Sequence, residues 1–377
     1  MKVAIIHEMC VKIGGAEKVV QSFLKLYPDA DLYSLILDED KMDDFFGSRK
    51  IITPNISQRI YKLFKNQRFC LPFMSRAIES LDFSSYDLVI ASSSGFAHGA
   101  ITKPETKFIV YSHAPARYLW DYSNEYKKQI GFNEGIKSYF LNKLFLRLRI
   151  WDYMSSQRAD KILANSENTK NRIKKYHRRN SQVLYPPIEV KRFQKTSLSL
   201  SLQGEKNKKN ENYYIIISAL TAFKRLDIAI SGFNKLPNQN LVIIGKWEQS
   251  EELLWLVRGK NISFVWAQYW DDLVSFVQNS QGLIFPGEED FGIVPVEVLA
   301  AGKPVFAFAK WGLLETVSAG ITGEFFHDSE GSDFASQFQE FNKNNLDGKY
   351  KSWACRNSAE KFSEANFLKK LTEIVWS

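Results

Sequence analysis

Apolar residues follow two rhythms along this chain. Short unbroken apolar runs stand between polar stretches, and longer segments carry apolar residues at every third or fourth position. KVAIIH (2–7) is apolar without alternation and reads as a strand buried on both faces. Gly14 and Gly15 then open GGAEKVVQSFLKLY, whose apolar positions share one helical face. DLYSLIL, YDLVIASS, KFIVYSH, KILANS and QVLYPP read as further strands, with helical segments between several of them. At 195–212 the sequence turns polar, KTSLSLSLQGEKNKKNEN, as expected of a linker. The alternation then resumes. YYIIISAL, LVIIG, ISFVW, GLIFP and PVFAF read as strands; LDIAISGFNKL, SEELLWLVRG, DDLVSFVQNS and VPVEVLAAG read as helices. This pattern predicts an α/β protein with two Rossmann-like, doubly wound parallel-sheet domains facing a central cleft. Ligands in such sheets bind beyond the carboxyl ends of the strands.

Composition narrows the class. At 377 residues the chain is long for one core, which fits two domains. No apolar run reaches the ~20 residues a membrane-spanning helix needs. MKVAIIHEM turns polar too early for a signal peptide, so a cytoplasmic location is expected. Three cysteines without a C-x-x-C pair fit a reducing compartment and speak against a structural zinc site. The net charge of +8 and pI near 9.1 point to an anionic partner: a nucleic acid, a phosphorylated substrate or an acidic membrane.

One stretch carries chemistry. In GEEDFGIVPVEVLAAGKPV (287–305) three acids and a glycine follow a strand end, and another acid opens the next helix. Pro295 suits the first helical position, since its missing N–H has no partner there. Glu297 then falls inside the first turn, where the helix dipole favours a carboxylate. N–H groups around Phe291, Gly292, Ile293 and Val294 are placed to hold a phosphate or sugar oxygen. Gly292 lets a ligand approach the backbone, and Gly302 ends the helix.

EDFGIVPVE (289–297) resembles the E-x7-E signature of retaining GT-B glycosyltransferases of family 4. The wider run 285–305 resembles the mannosyltransferase-like branch that builds bacterial polysaccharides and O-antigens. Other segments resemble that branch in the same order: GGAEKVV (14–20), YSHAPARYLWDY (111–122) with its H-x-P-x-R-Y-x-W-D block, RADKILANSENTKNRI (158–173) and VLYPPIEVKRF (183–193). SAEKFSEANFLKKLTEIV (358–375) resembles the last helix of the family, which packs back on the N-terminal domain. The resemblance implies an N-terminal acceptor domain over 1–190, joined by a C-terminal helix at 359–377. It implies a nucleotide-sugar domain over 191–358.

By the same resemblance Glu297 binds the nucleotide ribose, Glu289 the donor sugar and Lys224 the donor diphosphate, where a cation stabilises the leaving group. The family has an Arg five residues before that lysine. Here the position is Ala219, so either Arg225 takes over the second charge or leaving-group stabilisation is weaker. Gly15 joins Phe291 to Val294 among the donor-binding residues. His113 lies near the donor sugar and reaction centre, with Arg117 and Asp121 on the acceptor side. The implied enzyme moves a hexose from a nucleoside diphosphate sugar to a glycan or lipid-linked glycan in envelope polysaccharide synthesis, with retention. It uses no metal and no cofactor. A UDP-hexose is narrowly favoured over GDP-mannose.

Rival readings remain. An NAD-dependent dehydrogenase would need G-x-G-x-x-G after a strand, which KVAIIH lacks. A basic nucleic-acid-binding protein would use runs such as KNRIKKYHRRN (170–180), although basic residues also complement a helix C-terminus. The D-x-D pairs Asp29–Asp31 and Asp38–Asp40 lie far from these motifs and read as turn acids. ISQRIYKLFKNQRFCLPFMSRAI (56–78) and GIKSYFLNKLFLRLRIW (135–151) mix basic with large apolar residues. They fit either an anionic bilayer interface or core helices, the latter favoured for the second.

Overall fold

A computed structural model of the chain describes residues 1–42, 45–47, 49–132, 134–194, 212–219, 221–245, 250–265, 270–328 and 330–376. Except for Asn212, the polar run read as a linker lies outside the described residues. The chain divides into two compact units. One comprises 1–187 with 367–377, the other 188–366.

The first unit is built on seven parallel strands: β1 (Val3–His7), β2 (Asp31–Ser34), β3 (Ile51–Ile52), β4 (Leu88–Ser93), β5 (Lys107–Ser112), β6 (Lys161–Ala164) and β7 (Gln182–Val183). Their order is β3-β2-β1-β4-β5-β6-β7, so the winding reverses between β1 and β4. Its main helices are α1 (Gly15–Leu26), α2 (Asn55–Phe64), α3 (Met74–Glu79), α4 (Gly135–Ser155) and α5 (Glu167–Tyr176). Alternate residues of each strand feed opposite cores. Ile6, Val89 and Val110 join the layer under α2, α3 and α4. Ile5, Ile90 and Ile109 face Val20 and Phe23 of α1. A seven-residue 3-10 stretch containing Pro72 joins α2 to α3.

The second unit has six parallel strands: β8 (Tyr213–Ile217), β9 (Asn240–Ile244), β10 (Ile262–Val265), β11 (Gly282–Phe285), β12 (Val305–Phe308) and β13 (Gly323–Phe326). Their order is β10-β9-β8-β11-β12-β13, with the reversal between β8 and β11. The helices used below are α6 (Leu226–Asn234), α7 (Ile293–Ala300) and α8 (Phe334–Leu346). Phe334, Phe338 and Phe341 of α8 pack with Phe233 and Phe306 in one aromatic core. The last helix, α9 (Glu364–Trp376), returns to the first unit, where Phe367 stacks on Phe23 at 5.9 Å. Two strands escaped the apolar pattern: β3 is two residues long, and β13 reads GEFF, with a glycine and an acid.

The three cysteines are free and buried, and burial pushes Cys10 up to about 12 and Cys70 and Cys355 up to about 11. They are packing residues, not nucleophiles.

Candidate active site

Parallel strands end together, so the loops after adjacent strands meet at one edge of each sheet. In the second unit the loops after β8 and β11 flank the reversal point, the usual ligand position in an open α/β sheet. Lys224 and Arg225 lie on the first loop; Glu288, Glu289 and Gly292 lie on the second. The two loops touch. A methyl group on Gly287 would sit 2.6 Å from Lys224 Cα and 2.8 Å from its carbonyl oxygen, so this position has no room for a side chain. Lys224 Nζ donates to the Glu289 carboxylate and lies 5.4 Å from the ring centres of Phe223 and Phe285.

The loop after β12 closes the group. Gly312 N–H donates to Glu289 O at 3.1 Å, and a methyl on Gly312 would meet Asp290 O at 2.4 Å. Lys310, from this loop, forms an ion pair with Glu288. No motif marked Lys310; its place two residues beyond PVFAF was the available signal. The site therefore holds two acids and two lysines in neutralised pairs.

Arg225 adopts the left-handed region, φ 50°, at the cap of α6, and its guanidinium binds Asp227 at 3.2 Å. Ala219 is exposed, and its carbonyl accepts from Thr221 N–H at 2.9 Å.

The start of α7 differs from the sequence reading. The helix begins at Ile293, capped by Gly292 at φ 94°, so Pro295 is its third residue and Glu297 its fifth. Glycine supplies the positive φ that other residues resist, and the chain turns into helix before the proline. Pro295 still falls among the first four positions, where no intrahelical N–H is needed. Glu297 lies in the second turn and is buried, 5% exposed. Phe291 is buried against Phe362 at 5.2 Å.

In the first unit the reversal point lies between β1 and β4, and His7 is in register with Ser92. A buried polar chain runs from there. Glu17, in the first turn of α1, accepts from His7 Nε2 at 3.2 Å. His7 Nδ1 is 3.1 Å from Ser92 Oγ, which is 2.8 Å from His113 Nε2. Gly14 gives this carboxylate its space, since a methyl there would lie 3.1 Å from Glu17 Oε2. Gly15 is the first residue of α1. Burial, with His7 nearby, pushes His113 down to about 3, so its ring is neutral at physiological pH. When His7 is neutral, it accepts from Ser92, which accepts from His113 Nε2–H, leaving His113 Nδ1 as an acceptor. When His7 is protonated, it donates on both sides, and Ser92 donates to His113 Nε2.

Glu8, 5% exposed, follows His7. Its carboxylate accepts from the N–H groups of Phe96 at 2.9 Å and Ala97 at 3.0 Å, tying the loop after β4 to the end of β1. Burial raises its pKa, and these N–H groups hold it back.

The H-x-P-x-R block is fixed from behind. Trp120 Nε1 donates to Asp152 Oδ2 at 2.8 Å, and Asp152 also faces His177 at 2.8 Å and His98 at 3.4 Å. Asp152 is fully buried and held below the usual carboxylate range: burial opposes this, but His177, His98 and Trp120 outweigh it. A small cavity borders Asp152, His98, His177 and Ser93. Asp121 pairs with Arg172 at 2.6 Å, and Arg117 lies 5.3 Å from the Tyr122 ring centre. His7, Glu8, Glu17, Ser92 and Asp152 were all missed by motif reading.

Other sequence candidates have structural duties. Asp31 and Asp38 accept from Tyr86 and Tyr61 hydroxyls at 2.7 Å. In the basic run 170–180, Arg172 and His177 turn inward to Asp121 and Asp152, and Arg179 donates to the carbonyls of Ser156 and Ala159.

Comparison with known proteins bears on the fold and the activity. Residues 13–192 match "Glycosyltransferase Family 4" and residues 201–365 match "Glycosyl transferases group 1". The chain is 23% identical to alpha-1,3/1,6-mannosyltransferase ALG2 of Candida glabrata, over 84% of this chain and 78% of that protein. Its match to ALG2 of Saccharomyces cerevisiae is 25% identical and spans 49% of this chain and 45% of that protein. Among solved structures, Anabaena Alr3699/HepE in complex with UDP and glucose superposes with a TM-score of 0.69 at 15% identity, covering 100% of both chains.

Proposed function

The chain is a glycosyltransferase of the GT-B fold, and we propose that it transfers a hexose from a nucleoside diphosphate sugar to a glycan or lipid-linked glycan, with retention and without a metal. The observation that carries this reading is the convergence of Lys224, Glu289 and the start of α7 at the reversal point of the second sheet. The donor diphosphate displaces Glu289 from Lys224. The freed carboxylate then accepts from sugar hydroxyls, and the lysine stabilises the charge on the departing diphosphate. Backbone N–H groups at Ile293 and Val294 add to that stabilisation, and Glu297 accepts from the ribose hydroxyls.

His113, held neutral, positions the sugar, and Arg117 and Asp121 serve the acceptor. With both family-matched acids engaged on hydroxyls, the acceptor attacks the face the diphosphate leaves, and the diphosphate takes its proton. Mannose is favoured as the sugar because the ALG2 relatives are mannosyltransferases. A UDP-hexose is the second reading, supported by the UDP and glucose bound to the Anabaena neighbour. Envelope polysaccharide synthesis at the cytoplasmic face of the membrane is the matching setting.

The test combines transfer from GDP-mannose and UDP-glucose, assayed with EDTA present, and calorimetry of Glu297→Gln. Loss of a charge-assisted hydrogen bond worth about 1.5–3 kcal/mol lowers nucleotide affinity roughly tenfold or more. Unchanged affinity sinks the ribose assignment. An inverted product by NMR sinks retention, and complete loss of activity in EDTA sinks the metal-free reading.

A further inference from the structure

Two acid-free segments account for the charge of this protein. Residues 55–78 and 135–151 carry nine of its 50 lysines and arginines and none of its 42 acids. Without them the chain would hold 41 basic against 42 acidic residues, close to neutrality. The excess is therefore local, on α2 to α3 and on α4.

Both segments also expose large apolar side chains. Helix α4 has two apolar stripes. Phe145, Leu148 and the buried Asp152 face the sheet. The opposite stripe repeats at helical spacing through Ile136, Phe140, Leu146, Ile150 and Met154, of which Ile136 is 78% exposed and Ile150 59%. Lys143 and Arg147 lie on this outer stripe. A core helix would be polar on that side, so the sequence preference for a core helix accounts for only one face. From α2 onward, Leu63, Phe64 and Phe69 are exposed among Lys62, Lys65 and Arg68. Phe64 and Phe69 stack on each other in the open at 4.6 Å.

Tyr61 and Met74 on one side, and Phe145 and Leu148 on the other, pack into the same core on the same face of the seven-stranded sheet. The exposed residues therefore belong to the outer surface of one helix layer. We propose that this surface docks the protein on an anionic bilayer, with aromatic and aliphatic side chains entering the interface and basic side chains meeting lipid phosphates. A second copy of the chain is a poor occupant, since a symmetric contact would press like charges together. The inference rests on the lipid-linked acceptor reading only for its purpose. The surface itself is read without the donor site.

The experiment measures cosedimentation of the full chain with vesicles of phosphatidylcholine alone, and of phosphatidylcholine and phosphatidylglycerol in equal parts. No sugar nucleotide is added, so the result stands apart from the donor assignments. Wild type should partition to the anionic vesicles at least roughly tenfold more strongly than to the neutral ones. The pairs Phe64→Ser with Phe69→Ser, and Phe140→Ser with Ile150→Ser, should each reduce that partition several-fold while melting as wild type does. Lys62→Gln with Lys143→Gln should weaken only the anionic arm. Equal binding to both vesicles, no binding, or wild-type binding by the serine variants would overturn the proposal. So would serine variants that convert a dimer to a monomer in gel filtration without changing vesicle binding, since the surface would then be a self-association face.

Discussion

Ser92→Ala tests whether the polar chain in the first unit is a single structure. Ser92 is fully buried and its hydroxyl bridges His7 Nδ1, at 3.1 Å, and His113 Nε2, at 2.8 Å. Removing one oxygen leaves two buried ring nitrogens without that partner. Each unsatisfied buried group costs about 1–3 kcal/mol. Because the rings can shift slightly, the lower end applies, about 2 kcal/mol in all. For a unit of this size, each kcal/mol lowers the midpoint by about 2–4 °C, so the first unit should melt about 4–8 °C earlier. Ser80→Ala is the control: it deletes one half-buried bond, to Ala77 O at 2.8 Å, and should cost under about 1 kcal/mol. Calorimetry gives the midpoints, and nitrogen-15 NMR of His113 reports its tautomer. If Ser92→Ala melts like Ser80→Ala and the His113 signals do not move, the four residues are not coupled as described.

The remaining predictions concern acid stability and the paired charges. His98 and His113 are pushed down to about 4 and about 3, chiefly by burial. The unfolded chain takes up their protons near pH 6.5 and the folded chain does not, so stability falls as pH drops from about 6.5 toward 4, by up to about 1.4 kcal/mol per pH unit for each ring. Urea midpoints across that range check this, and a flat profile would refute it. Glu289→Gln removes the carboxylate that neutralises Lys224. Affinity for the free nucleoside diphosphate should hold or rise while sugar transfer falls at least roughly tenfold; reduced diphosphate affinity would contradict the proposed exchange.

The sheets were legible because their strands are buried on both faces, as in KVAIIH, and announce themselves without alternation. The start of α7 was misplaced because Pro295 is a strong signal that is equally comfortable at any of the first helical positions, while Gly292 sets the actual turn at φ 94°. The partners of the site residues were not legible at all. Lys224 and Glu289 are 65 residues apart, and Ser92 and His7 are 85 apart. Parallel register brings them together, and no local periodicity encodes it. A useful signal did exist in histidines at the ends of β1 and β5 and an acid three residues after Gly14: polar groups at strand ends and helix starts gather at one edge. Helix α4 was half read, since periodicity reveals one apolar face and burial is needed to see that there are two.

The two sheets reverse at equivalent places, and comparing their loops separates a fixed junction from an exchangeable one. After β1, Glu8 is buried and accepts from backbone N–H groups of the loop after β4. Removing that carboxylate leaves those groups unpaired in a dry environment, at about 1–3 kcal/mol each. That junction is built to stay shut. After β8, Lys224 reaches the loop after β11 through a side-chain carboxylate, and Glu289 is 34% exposed. The carboxylate of this pair reaches solvent, so an incoming diphosphate, itself an anion, can compete with it for the lysine. The same topology thus yields a clamp in one unit and an open charge pair in the other. The difference supports the proposed placing of the phosphate-bearing donor in the second unit, independently of the E-x7-E motif.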